Sequence, residues 1–143
     1  MRWLFVFVLA CNGDSRRLEL LEVKNGSGDV APLIAAELER ATNDHKQLLV
    51  YVGAGWCEPC RHFHEAAAAG QLDKTFGNLR LLVFDADRSG DALQRAGYDT
   101  HLIPLFAVPN ADGSASGRHI EGSIKGDGAV AQITPRLQQL LAP

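Results

Sequence analysis

The sequence has little of what would place it in a specialised class. Three Cys among 143 residues are too few for a disulfide framework. Basic residues are not in excess: Lys and Arg number 14 against 17 Asp and Glu, a net charge of −3, so nothing here is an electrostatic footprint for nucleic acid. No apolar run reaches the roughly 18 residues of a membrane-spanning helix. There is no internal repeat and no low-complexity stretch, which excludes solenoid, collagen-like and wholly disordered chains. What is present is globular: 46% hydrophobic and 22% charged residues. A domain of this length buries roughly 68–70% of its unfolded surface, so it needs neither disulfide staples nor structural metals to fold.

The three cysteines fall into two groups. Cys11 follows Met1-Arg2 and eight apolar residues, Trp3 to Ala10, and precedes the polar run Asn12 to Arg17. A positive start, an apolar core and a small residue before a cleavage point are the parts of a secretory signal. Val8-Leu9-Ala10-Cys11 also resembles a bacterial lipobox, although Leu9 stands where a small residue is usual and the segment is short. The expectation is an exported chain. Residues 1–16 form the leader and tether, Cys11 is the lipidation candidate, and residues 17–143 form the domain. The alternative is a first β-strand in which Cys11 is a small apolar residue.

Along the remaining chain, Arg17 to Lys24 reads as a short strand. Asp29 can cap a helix running to about Asn43. Leu48 to Val52 and Leu79 to Phe84 are continuous apolar runs, the mark of strands covered on both faces. Between them, Cys57-Glu58-Pro59-Cys60 opens a helix through Ala69. A short helix is expected near Asp91 to Ala96, a strand over Ile103 to Val108, and an edge strand over Arg118 to Gly122. Asp127 can cap a final helix with Val130, Ile133, Leu137, Leu140 and Leu141 inward, which Pro135 should kink or split. The order β-α-β-α-β-α-β-β-α predicts an α/β fold, a central mixed sheet with helices on both faces.

Cys57 and Cys60 carry the chemistry. A cysteine at a helix N-terminus lies where free N–H groups and the macrodipole favour a thiolate, the reactive form. The second cysteine sits one turn in, within bonding reach. Pro59 is tolerated in the first helical turn. This suits thiol–disulfide exchange, in which Cys57 attacks and Cys60 resolves. Zinc sites share the spacing but want a second pair, and ligands crowded onto one helix with His62 and His64 rarely converge tetrahedrally. Covalent haem attachment needs His where Arg61 stands. No metal and no cofactor beyond the Cys57–Cys60 couple is expected.

Trp56-Cys57-Glu58-Pro59-Cys60 resembles the Trp-Cys-x-Pro-Cys active site of the thioredoxin superfamily. The likeness extends over residues 17–141: Leu48 to Val52 matches the strand feeding that site, Ile103-Pro104 the family's Ile-cis-Pro segment, and Gly122 the glycine after its last strand. Cys60-Arg61-His62-Phe63 is similar to exported bacterial relatives, among them the C-terminal domain of the thiol:disulfide interchange protein DsbD. The resemblance implies a thioredoxin-like fold and a thiol–disulfide oxidoreductase acting on protein disulfides. Trp56, Glu58, Pro59 and Tyr51 would support the active site, and Ile103 and Pro104 would bind substrate. It also implies a monomer outside the cytoplasm, recharged by a membrane or thioredoxin-type electron donor. Two departures stand out. Tyr51 occupies the place of the family's buried Asp, which moves protons for the resolving cysteine; its hydroxyl, Glu65 or water could take over. Glu58 replaces Gly, and its negative charge beside a thiolate favours a reducing couple. Competing expectations are a binding module, for a client or a metal, with a structural disulfide, and a cytosolic thioredoxin.

Overall fold

The computed structural model describes residues 16–24 and 26–143. The N-terminal apolar segment and Cys11 lie outside the described residues. Five strands, β1 (Glu19–Glu22), β2 (Gln47–Gly53), β3 (Leu79–Asp85), β4 (Leu105–Pro109) and β5 (Ala115–Glu121), form one sheet in the order β1-β3-β2-β4-β5. β1 and β2 run parallel to β3, and β4 is antiparallel to both β2 and β5. The helices are α1 (Ala31–Asn43), α2 (Glu58–Ala68), α3 (Asp73–Phe76), α4 (Ala86–Arg95) and α5 (Ala129–Leu141).

Successive side chains of a strand point to opposite faces, which is how one apolar run builds two cores. From β2, Leu49 and Tyr51 join Phe63 and Ala67 of α2 and Ile133 and Leu137 of α5. Leu48, Val50 and Val52 join Ile34 and Ala41 of α1 and Ala92 and Leu93 of α4 on the other face. The result is a central mixed sheet with helices on both sides. The carboxyl ends of β2 and β3 lie side by side, with Gly53 opposite Asp85. In open α/β sheets that is where functional sites form.

Several boundaries differ from expectation, each for a local reason. α4 begins at Ala86 rather than near Asp91, because the Asp85 carboxylate accepts the N–H groups of Asp87 and Arg88 at 2.9 and 3.1 Å and caps the helix. The helix then runs through Gly90 to Arg95. Asp29 is not the N-cap of α1; Val30 is, and Asp29 accepts the Ala31 N–H from one residue further out. α5 starts from Gly128 rather than Asp127 and is not split by Pro135. Pro135 and Ala131 lie on its exposed face. The carbonyl that loses its N–H partner therefore faces water, where the loss is least costly. β4 begins at Leu105, two residues later than expected, and one-turn α3 had no signal beyond buried Phe76.

Candidate active site

Cys57 is the N-cap of α2, with extended backbone (φ −85°, ψ 106°), at the end of a turn closed by its own N–H on the Ala54 carbonyl at 3.1 Å. Its Sγ accepts the Cys60 backbone N–H at 3.3 Å. That bond and the aligned peptides of α2 are the features that stabilise a thiolate at this atom once the couple is reduced. Pro59 fills the first turn without leaving an N–H unpaired. The two sulfurs form a disulfide, with Cα atoms 5.3 Å apart. Both cysteines are buried and pack with Ala54, against which Ile103 and Ala86 also lie.

Gly53 ends β2 directly behind the pair. A Cβ there would come within 3.3 Å of the Cys60 Cβ and 3.6 Å of its sulfur, so the strand approaches the cysteine closely because this residue has no side chain. The Tyr51 hydroxyl donates to the Cys60 carbonyl at 3.0 Å, and its ring stacks on Phe106 (centroids 4.7 Å apart, 1° between planes) and meets Phe63 edge-on. Burial first, and the Glu22 charge second, push the Tyr51 phenol well above the usual tyrosine range. It is a fixed neutral donor, holding the first turn of α2 onto the sheet. Across from the cysteines, the Ile103–Pro104 bond is cis, Pro104 is buried, and its carbonyl accepts the Gly122 N–H at 2.9 Å.

Three contacts at the site had no local sequence signal. Trp56, 69% exposed, donates its indole N–H to the Asp87 carboxylate at 3.0 and 3.2 Å, a contact created by the parallel pairing of β2 with β3. The Glu58 carboxylate accepts the Gly126 N–H at 3.0 Å and stands 3.6 Å from the His62 imidazole. It thus ties the redox dipeptide to the loop before α5. Behind Cys60 is a pocket of about 230 Å³, bordered by Tyr51, Glu22, His64 and Glu65 among others. Glu22 and His64 stand 3.4 Å apart at its edge. Two further apolar side chains, Leu102 and Ile124, are exposed: one precedes Ile103, the other lies two residues from Gly126. Among the described residues, no group of three or more His, Cys, Asp or Glu is arranged to hold a metal ion.

This sheet order, with a cysteine pair at the β2–α2 junction opposite a cis-proline, defines the thioredoxin-like fold. Solved structures similar to it are thioredoxins. A poplar thioredoxin h aligns at TM-score 0.56 and 21% identity over 87% of this chain and 98% of its own. A spinach chloroplast thioredoxin f aligns at 0.52 and 18%, covering 85% and 90%. Thioredoxin O1 from Arabidopsis thaliana in the oxidized state aligns at 0.51 and 19%, covering 87% and 99%. No family model matches the chain, and no curated protein matches it.

Proposed function

We propose that this chain is a thiol–disulfide oxidoreductase that reduces protein disulfides through the Cys57/Cys60 couple. The observation that carries the reading is Cys57 Sγ at the N-terminus of α2, accepting the Cys60 N–H and joined to the Cys60 sulfur. In the reduced protein, the Cys57 thiolate attacks a client disulfide. One client thiol leaves and a mixed disulfide remains on Cys57. Cys60 then displaces the second client thiol, so the client gains two electrons and the couple becomes the disulfide. Exposed Trp56, which precedes Cys57, and exposed Leu102, which precedes Ile103, offer a client apolar surface. Ile103, beside the cysteines, can offer backbone groups to an extended client segment in strand-like pairing.

The finer reading is a reductase outside the cytoplasm, of the kind the DsbD C-terminal domain represents. The leader within residues 1–16 would direct it there, lipidated Cys11 and the tether to residue 16 would hold it, and a membrane or thioredoxin-type donor would recharge it. Its supports are the apolar run before Cys11, the Cys60-Arg61-His62-Phe63 stretch and the negative Glu58. Reduction of insulin disulfides with dithiothreitol as donor tests the chemistry. Cys57→Ser should abolish it and Cys60→Ser should accumulate mixed disulfides with clients in the native host; wild-type activity in Cys57→Ser would overturn the assignment. Mass spectrometry of the native N-terminus tests the location: mature protein should begin at or near Cys11, and an intact Met1 on unanchored cytosolic protein would sink it.

A further inference from the structure

Resolution of the mixed disulfide requires a proton to leave Cys60. That residue is 3% exposed, and Tyr51, the residue behind it, is a neutral donor whose proton is already committed to the Cys60 carbonyl. Cys60 also forms part of the wall of the 230 Å³ pocket, which is lined as well by Glu22 and His64, both partly open to solvent. The pocket is largely apolar, but it has room for water, and Glu22, Tyr51, His64 and Asp85 in its lining give such water polar partners through which a proton could pass.

We propose that His64, held by Glu22, accepts the Cys60 proton through this pocket during the resolving step; this rests on the oxidoreductase reading above. His64 is four residues from Cys60 on α2, so the two lie on one helix face a single turn apart. The Glu22 carboxylate, supplied by β1, lies 3.4 Å from the His64 Nε2 and compensates the charge an imidazolium would carry. The other charged groups facing the pocket serve less well. Asp85 is engaged as the cap of α4. Arg61 and Arg88 carry no basic lone pair at neutral pH. Glu65, five residues from Cys60, is turned off the shared face and exposed. The step balances. The Cys60 thiol gives its proton to His64, its sulfur forms the bond to Cys57 Sγ, and the Cys57–client bond breaks toward the client sulfur. The client thiolate then takes up a proton, and His64 returns its own to solvent.

The test uses reduced protein and 5,5′-dithiobis(2-nitrobenzoate) in single-turnover mixing. Cys57 attack releases one coloured thiolate and Cys60 attack a second, so the two steps are read separately. At pH 7, His64→Gln should slow the second release relative to the first by about a hundredfold or more, the low end of what a positioned base supplies. Its pH–rate midpoint should move upward by about one unit or more, toward that of an unassisted thiol. Glu22→Gln should move the midpoint in the opposite direction, because the carboxylate favours the imidazolium; a purely structural role would not produce opposed shifts. Glu65→Gln should keep the wild-type profile. A His64→Gln protein with wild-type second-step rate and profile, or shifts of one sign in both variants, would overturn the assignment while leaving the oxidoreductase reading intact. A wild-type protein that never releases the second thiolate would overturn both.

Discussion

Replacing Tyr51 by Phe separates two roles that the position opposite Cys60 could play. The substitution removes one oxygen and leaves the ring, so the 4.7 Å stack on Phe106 and the edge contact with Phe63 persist. What is lost is the 3.0 Å bond to the Cys60 carbonyl. A buried neutral hydrogen bond contributes about 0.5–1.5 kcal/mol net. The carbonyl left behind lies in the first turn of α2, where the helix provides an N–H four residues on, so no acceptor is stranded. The expected loss is therefore about 1 kcal/mol, or about 4 °C in Tm for a domain of this size. Urea unfolding of the oxidised protein measures it. Insulin reduction near pH 7 should stay within about threefold of wild type, since a phenol held neutral donates a bond and accepts no proton. A fall of about a hundredfold, the scale of a lost general base, would refute the reasoning. So would a stability loss above about 3 kcal/mol, which would mean the hydroxyl organises far more than one carbonyl.

The same burial makes an alkaline prediction. Tyr51 and Tyr98 both have folded pKa values raised by burial, and for a neutral acid the associated stability is present below the unfolded value of about 10 and lost as pH rises through it. Urea midpoints should fall steeply above about pH 10, and less steeply in Tyr51→Phe; a flat profile to pH 11 would contradict this. Gly113→Ala should cost about 2–5 kcal/mol, because φ is +84° and the new Cβ would collide with the Ala31 carbonyl oxygen. Equilibrium unfolding measures it, and a loss below about 1 kcal/mol would show that α1 can give way. Glu58→His should raise the redox potential against glutathione by no more than about 30 mV, a tenfold change in the equilibrium, and lower the Cys57 pKa in the reduced protein. The effect is small because the Glu58 carboxylate is partly exposed and turned toward the Gly126 N–H and His62. No movement in either quantity would remove Glu58 from the electrostatics of the couple.

Elements whose signals are local were legible from the sequence. Leu48 to Val52 and Leu79 to Phe84 have uninterrupted apolar character, and both are strands buried on two faces. The Cys-x-Pro-Cys stretch announced a strand–helix junction because proline is welcome in the first turn of a helix and poorly tolerated deeper. The start of α4 was hidden because Asp-Ala-Asp-Arg-Ser-Gly has the composition of a loop, and only the cap geometry of Asp85 shows that a helix begins there. Contacts across the fold were hidden altogether. Trp56 and Asp87 are 31 positions apart and Glu58 and Gly126 are 68 apart, and no periodicity within a segment reports such meetings. The pocket behind Cys60 is of the same kind: its wall draws on β1, β2, β3, α2 and α4, so it exists only once the sheet order is set.

The place of β2 in that sheet has a consequence for how the molecule comes apart. Val50, Tyr51 and Val52 are paired on one side with β3 and on the other with β4, whereas β1 and β5 are held on one side only. Fluctuations that break a few hydrogen bonds therefore begin at the two margins, and the middle strand separates only when the whole sheet does. Cys57 sits four residues beyond the end of that strand. When a client sulfur is bonded to it, any pull from the client is transmitted into the most cooperative part of the structure rather than into a strand that could peel away. The attacking sulfur is thus mounted next to a strand paired on both sides, which opposes movement of its anchor while the client is still attached.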